Sequence, residues 1–177
     1  MSSAALHACL VVLVGLERVA ELGGARSNAA WSFARGGVEL GRAHYRVMVV
    51  AHAAFLVSCA LEPWLLEREI VWWVAAPAVL AVIAAQALRW WAIVSLGRRW
   101  NTRVIVIPGA SRVERGPYRF LRHPNYVAVV VEGLALPMVH GAWFSAAWFL
   151  GVNGLLLATR IRCEEQALAW AERRGDA

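Results

Sequence analysis

The chain has 177 residues, of which 60% are hydrophobic and 17% charged, with a net charge of +6 and a mean hydropathy of +0.52. Soluble domains usually carry about 45–50% apolar and about 25% charged residues. The composition excludes a disordered chain and a disulfide scaffold, disfavours a soluble domain, and leaves room for about five membrane-spanning helices with short loops.

Five apolar runs, separated by polar segments, predict the helices: residues 4–22, 45–66, 70–96, 126–139 and 142–159. Residues 23–44 and 97–125 are predicted loops, and the tail from residue 160 predicts a C-terminal helix as far as Arg174. The fourth run would rise about 21 Å, short of the ~30 Å hydrocarbon core. We therefore expect an all-α polytopic integral membrane protein with about five transmembrane helices, a tilted or partly inserted hairpin of helices 4 and 5, and a C-terminal cytoplasmic helix.

All basic residues are arginines, and most lie in the loop after the first helix, the loop after the third and the tail. Arginine-rich segments beside apolar spans are typical of cytoplasmic loops facing anionic headgroups. This pattern predicts an outside N-terminus and a cytoplasmic C-terminus, and it argues against nucleic-acid binding. The three cysteines are far apart, so we expect no metal site.

The polar stretch before the fourth run is a candidate ligand site. Pro124 favours a helix start, which places His123 at a helix N-terminus where backbone N–H groups and the dipole favour anions. Arg119 and Arg122 add positive charge, so this corner would suit a carboxylate. The alternative is an ordinary basic loop with a proline-capped helix start.

A second candidate site lies in the tail. Arg160 and Glu164 are spaced i, i+4 and share one helix face, while Glu165 lies one residue further round. Two adjacent carboxylates would accept hydrogen bonds from an amine or a ribose. The alternative is a solvated amphipathic tail.

Glu132 is an ionisable residue inside an apolar run, nine residues after His123. Such residues are costly in a membrane and are read as functional or as paired within the bundle. The sequence leaves a catalytic role and a structural contact with Arg89 or Gln86 equally open.

The motifs R-H-P-N-Y at 122–126 and R-I-R-C-E-E at 160–165 resemble the signatures of the isoprenylcysteine carboxyl methyltransferase-like family of integral-membrane methyltransferases, which phospholipid N-methyltransferases share. The segments L-G-R-R-W at 96–100 and G-P-Y at 116–118 fit the same family. The resemblance implies one domain over residues 1–177, with substrate-side helices in 1–85 and a core that binds S-adenosylmethionine (SAM) in 86–177. It also implies a lipophilic acceptor that arrives from the bilayer, for which an isoprenylcysteine-like carboxylate is one possibility.

The resemblance carries roles to individual positions. Together with the charge argument for Arg119, it implies a cofactor site formed by Arg119, His123, Pro124, Asn125, Tyr126, Glu164 and Glu165. Arg160, with Arg98 or Arg99, would orient the acceptor.

The segments R-G-G-V-E-L-G at 35–41 and H-Y at 44–45 resemble short bacterial members found alongside type III polyketide synthases, which methylate a hydroxyl of alkylpyrones or alkylresorcinols. This likeness implies O-methyl transfer in a bacterial cytoplasmic membrane and association with a polyketide synthase. A phenolic acceptor would benefit from a base, for which Glu39, His44 and Glu132 are candidates. N-methylation of an aminolipid and a non-catalytic membrane carrier or assembly subunit are the alternatives.

Overall fold

The computed structural model describes residues 2–173, with only the backbone for Ala43. Within that part of the chain, the α-helices are α1 (Ser3–Phe33), α2 (Arg42–Leu65), α3 (Trp72–Leu96), α4 (Pro124–Met138) and α5 (Trp143–Arg173). Two short strands, β1 (Val38–Leu40) and β2 (Val104–Val106), and two single 3-10 turns, Gly97–Arg99 and Gly116–Arg119, complete the fold. The predicted helical end at Arg174 lies outside the described residues.

Four of these helices, α1, α2, α3 and α5, are long and apolar enough to cross a membrane. Helix α4 has 15 residues, which rise only about 22 Å, so it is the short member of the bundle, as the sequence predicts. Many large apolar side chains point outward, among them Leu13, Val50 and Leu80. Such a surface is normal where lipid tails are the solvent. The predicted all-α polytopic membrane fold is confirmed.

Helix α1 continues eleven residues past the predicted end at residue 22. Gly23 and Gly24 suggest a break, but neither interrupts the helix, because packing decides the outcome. Ala25 and Ala29, one turn apart, are buried against the rest of the protein. The helix ends only after Phe33, where Gly36 adopts a φ of 76°.

The two strands form an antiparallel ribbon that the sequence analysis does not predict. Val38 lies opposite Val106, and Leu40 lies opposite Val104. Val104 and Val106 are buried against Ala167 and Ala171, which lie one turn apart on α5. The ribbon therefore holds the connections after α1 and α3 against the last turns of α5.

Helices α4 and α5 form the predicted hairpin, which turns at Gly141 with a φ of 66°. The N-terminus of α5 is capped across the bundle by the buried Glu62 carboxylate of α2. This carboxylate accepts hydrogen bonds from the Phe144 amide at 3.1 Å and from the Ser145 amide and hydroxyl, both at 2.7 Å. The predicted C-terminal helix is the second half of α5, which runs without a break through Arg173.

Candidate functional site

A cavity of about 600 Å³ lies at the end of the bundle that carries the arginine-rich connections. The start of α4, the last turns of α5, β2 and the segment between β2 and α4 enclose it. Small-molecule and cofactor sites typically have volumes of about 300–1,000 Å³. Polar and charged residues that line it include Asn101, Arg112, Tyr118, Arg122, His123, Asn125, Tyr126, Arg160 and Glu164.

Tyr126 links the two sequence motifs. Its hydroxyl donates to the Glu164 carboxylate and accepts from Arg160 Nε at 2.8 Å. The His123 ring, one helical turn before it, stacks on the Tyr126 ring with centroids 5.3 Å apart. Pro124 is fully buried at the first position of α4, where its fixed φ and missing N–H suit a helix start. This start orients His123 and Tyr126 toward α5.

The two adjacent carboxylates of α5 have different partners. Glu165 accepts from His123 Nε2 and from Arg112 Nη2, both at 2.9 Å, with Arg122 at 3.9 Å. Arg112 also contacts Glu172 at 3.3 Å, and the hydrogen bond to Glu165 raises the pKa of Arg112 further. Arg112 therefore stays charged and ties the segment after β2 to α5.

Arg160 is the buried cation of the site, with 6% of its surface exposed. Its Nη2 donates to the Thr102 carbonyl at 2.7 Å, while Thr102 Oγ1 lies 3.2 Å from the Tyr45 hydroxyl. Its Nη1 is buried and has no hydrogen-bond partner among the described residues. A buried guanidinium with a free N–H is ready to bind an anionic or polar oxygen.

Tyr118 completes this part of the cavity wall. Burial raises the pKa of its phenol above the ordinary range, and the nearby Glu164 charge adds to the rise. Tyr118 therefore remains a neutral phenol at physiological pH.

Among the other residues assigned to the cofactor, only Asn125 lines the cavity, and its Oδ1 accepts from Arg89 Nη1 at 3.2 Å. Pro124 acts through the backbone, as described above. Arg119 is exposed outside the cavity, with its guanidinium 6.0 Å from the centre of the Phe120 ring. Arg99 lines the cavity and donates to the Ser111 carbonyl at 2.7 Å, whereas Arg98 is exposed elsewhere.

The three candidate bases do not line the cavity. Glu39 on β1 pairs with Arg42 and Arg103, both at 3.1 Å. The side chains of His44 and Cys163 both lie against Gly41, where an added Cβ would contact each of them. His44 is therefore beside Cys163.

Glu132 takes part in the structural contact that the sequence left open. Its carboxylate lies 3.6 Å from Arg18 and 3.9 Å from Arg89. The same two arginines contact Glu21, at 2.8 Å and 3.7 Å. Gln86 is not its partner and instead bonds Arg18 at 2.7 Å. Glu132 thus belongs to a charge cluster between α1, α3 and α4.

Sequence reasoning missed Asn101, Thr102 and Arg112. Arg112 is one of many arginines in its segment, and no spacing distinguishes it. Thr102 acts through its backbone carbonyl, which any residue provides. Asn101 directly follows the family-like L-G-R-R-W segment, and this position is the feature of the sequence that could have marked it as a site residue.

Fold and cavity together define a class: an integral membrane protein with a small-molecule site at the arginine-rich end of its helices. Residues 78–170 match the model of the isoprenylcysteine carboxyl methyltransferase (ICMT) family. The chain belongs to this family, which confirms the resemblance and identifies a membrane methyltransferase.

Three relatives are similar to the chain over most of its length, and one of them is named as a methyltransferase. The chain is 36% identical to the uncharacterized protein YpbQ of Bacillus subtilis (strain 168), over 90% of this chain and 94% of the relative. It is 25% identical to an uncharacterized protein of Haemophilus influenzae, over 77% and 79% of the two chains. It is 29% identical to protein-S-isoprenylcysteine O-methyltransferase A of Arabidopsis thaliana, over 71% of this chain and 64% of the plant protein. No solved structure matches the chain.

Proposed function

We propose that the protein transfers a methyl group from SAM to an oxygen of a lipophilic acceptor dissolved in the membrane. The observation that carries the proposal is the hydrogen-bonded cluster of His123, Tyr126, Arg160, Glu164 and Glu165, which joins two distant sequence motifs beside one cavity. The name of the plant relative, an O-methyltransferase, supports oxygen as the acceptor atom.

The polar and aromatic groups of the cavity fit the cofactor. Glu164, with 31% of its side chain exposed, keeps capacity to accept hydrogen bonds from a ribose or an ammonium group. Arg122 offers charge to a carboxylate, and the aromatic faces of Tyr126 and Tyr118 suit a sulfonium cation. When bound, SAM supplies a methyl group on an already activated sulfur. The protein's task is then to align the acceptor, an effect worth up to about 7–11 kcal/mol.

Arg160 would hold the acceptor oxygen through its free Nη1. A buried positive charge favours the ionised form of a nearby oxygen acid. Because none of Glu39, His44 and Glu132 lines the cavity, we favour an acceptor that ionises without a dedicated base, such as a carboxylate or an acidic enol. The enol of an alkylpyrone, delivered by an associated polyketide synthase, is one acceptor of this kind.

The arginine-rich end would face the cytoplasm, because positive segments are retained there. This orientation puts the N-terminus outside and opens the cavity to cytoplasmic SAM in a bacterial cytoplasmic membrane. The acceptor would reach Arg160 from between the helices.

The test uses purified protein in detergent and membranes fed with methyl-labelled SAM. Wild-type protein should bind S-adenosylhomocysteine (SAH), and Glu164→Gln should weaken binding roughly tenfold through loss of one charge-assisted hydrogen bond. Arg160→Gln should retain SAH binding but lose methyl transfer, while Arg119→Gln, an exposed arginine, serves as the matched control. Label in a lipid amine would favour aminolipid N-methylation instead. Absence of both SAH binding and labelled lipid would refute the proposal and favour a non-catalytic carrier.

A further inference from the structure

Asn101 carries an unpartnered amide beside the cavity. Asn101 lines the cavity, and both Nδ2 and Oδ1 of its side chain are buried without a hydrogen-bond partner among the described residues. Leaving a buried amide unpaired is costly. The other lining amide, Asn125, has its oxygen engaged by Arg89. Asn101 is therefore the lining amide with both a donor and an acceptor available.

The backbone on both sides of Asn101 is held by distant helices. Asn28 of α1 donates to the Trp100 carbonyl at 2.8 Å, and Arg160 of α5 donates to the Thr102 carbonyl at 2.7 Å. Trp100 itself is buried. The side chain of Asn101 thus extends from a backbone that is held in place on both sides. This arrangement is expected of a group that recognises a ligand and not of a mobile surface side chain.

We propose that Asn101 reads the edge of the adenine base, where the exocyclic amine donates to Oδ1 and a neighbouring ring nitrogen accepts from Nδ2. This assignment rests on the proposed use of SAM and adds a residue that sets its base specificity. A primary amide presents one donor and one acceptor side by side, which is complementary to that edge. The charged ends of the cofactor are better matched by Glu164 and Arg122, which line the same cavity.

The surroundings of Asn101 suit a flat, neutral base. Leu96, Trp100, Val104 and Ile105 line the same cavity as Asn101. Apolar side chains beside an amide are typical of sites that bind an uncharged ring and fix its orientation through one polar edge.

The experiment compares two ligands on each variant: SAH and its analogue with hydrogen in place of the 6-amino group. In wild-type protein the analogue should bind at least roughly tenfold more weakly, because Oδ1 stays buried and unpaired. In Asn101→Ala both ligands should bind within about twofold of each other, because the discriminating group is gone. Asn101→Asp should weaken SAH binding, since a carboxylate has no donor for the ring nitrogen. The ratio of the two dissociation constants within one variant does not depend on the folded fraction.

Asn153 provides the matched control, since its amide is also buried and unpartnered but lies on α5 outside the cavity. Asn153→Ala should keep the wild-type ratio. A wild-type ratio near one, or an unchanged ratio in Asn101→Ala, overturns the assignment. So does an Asn101→Ala variant in which only the acceptor KM rises, because the amide would then read the acceptor. Wild-type protein that binds neither ligand refutes the proposed function itself.

Discussion

Removal of the Tyr126 hydroxyl tests whether the two motifs are held together by one atom. In Tyr126→Phe the ring remains stacked on His123, but Arg160 Nε loses its acceptor and Glu164 loses its donor. The three tyrosines of the chain allow a matched comparison, because Tyr45 has a single neutral hydrogen bond to Thr102 at 3.2 Å.

The expected loss follows from the burial of the two partners. A hydrogen bond to a charged group contributes about 1.5–3 kcal/mol, against about 0.5–1.5 kcal/mol for a neutral one. The Arg160 bond counts in full because the guanidinium is buried, whereas the Glu164 side chain, 31% exposed, recovers part of its loss from water. We expect Tyr126→Phe to lower the free energy of unfolding by about 2–4 kcal/mol and Tyr45→Phe by about 1 kcal/mol.

Thermal unfolding in detergent, followed by the fluorescence of the 10 tryptophans, measures the difference. For a chain of this size about 1 kcal/mol corresponds to about 2–4 °C in Tm. Tyr126→Phe should therefore melt clearly below Tyr45→Phe, and SAH should protect it less than it protects wild-type protein. Equal Tm values for the two variants would show that the Tyr126 hydroxyl does not hold Arg160 and Glu164 together.

Two further predictions concern the interior of the bundle. A Cβ at Gly133 would lie 2.6 Å from Phe149 Cε1, so Gly133→Ala should lower the free energy of unfolding by about 1–3 kcal/mol through overpacking. Adding Phe149→Leu to this variant should restore part of the Tm. Equal Tm values for the single and the double variant would contradict this packing. The cluster of Glu17, Arg18, Glu21, Arg89 and Glu132 holds three negative and two positive side chains. Glu132→Gln balances it and should cost little stability, whereas Arg89→Gln should cost about 3–5 kcal/mol. If Glu132 is instead the base, Glu132→Gln will keep its Tm and lose methyl transfer by roughly 10²-fold or more.

The sequence was sufficient for the features that depend on residue type and spacing. Apolar runs of spanning length predicted the bundle, and the short fourth run predicted α4 as the helix that falls short of the core thickness. The i, i+4 spacing of Arg160 and Glu164 placed both on one face of α5, where Tyr126 bridges them. These features follow from helical periodicity and require no knowledge of neighbouring elements.

The remaining features depend on contacts between distant segments. The ribbon of β1 and β2 consists of three-residue strands in basic loops, too short to show an alternating pattern. Helix α1 passes Gly23 and Gly24 because burial of Ala25 and Ala29 outweighs the low helix propensity of glycine. Arg112 gains its role only when the ribbon brings its segment to Glu165.

Under the proposed function, the unbroken course of α5 would bring a water-soluble cofactor and a lipid acceptor together in a small protein. The helix has 31 residues, which extend about 46 Å, whereas a hydrocarbon core of about 30 Å takes up about 20 of them. Twenty residues counted from Trp143 end at Arg162, so a core that begins at Trp143 would end just after Arg160 and just before Glu164 and Glu165. The group proposed to hold the acceptor would then lie at the membrane boundary, and the groups proposed to hold the cofactor would lie just outside it. Because one helix carries both sets of groups, a single helical turn sets the distance between them.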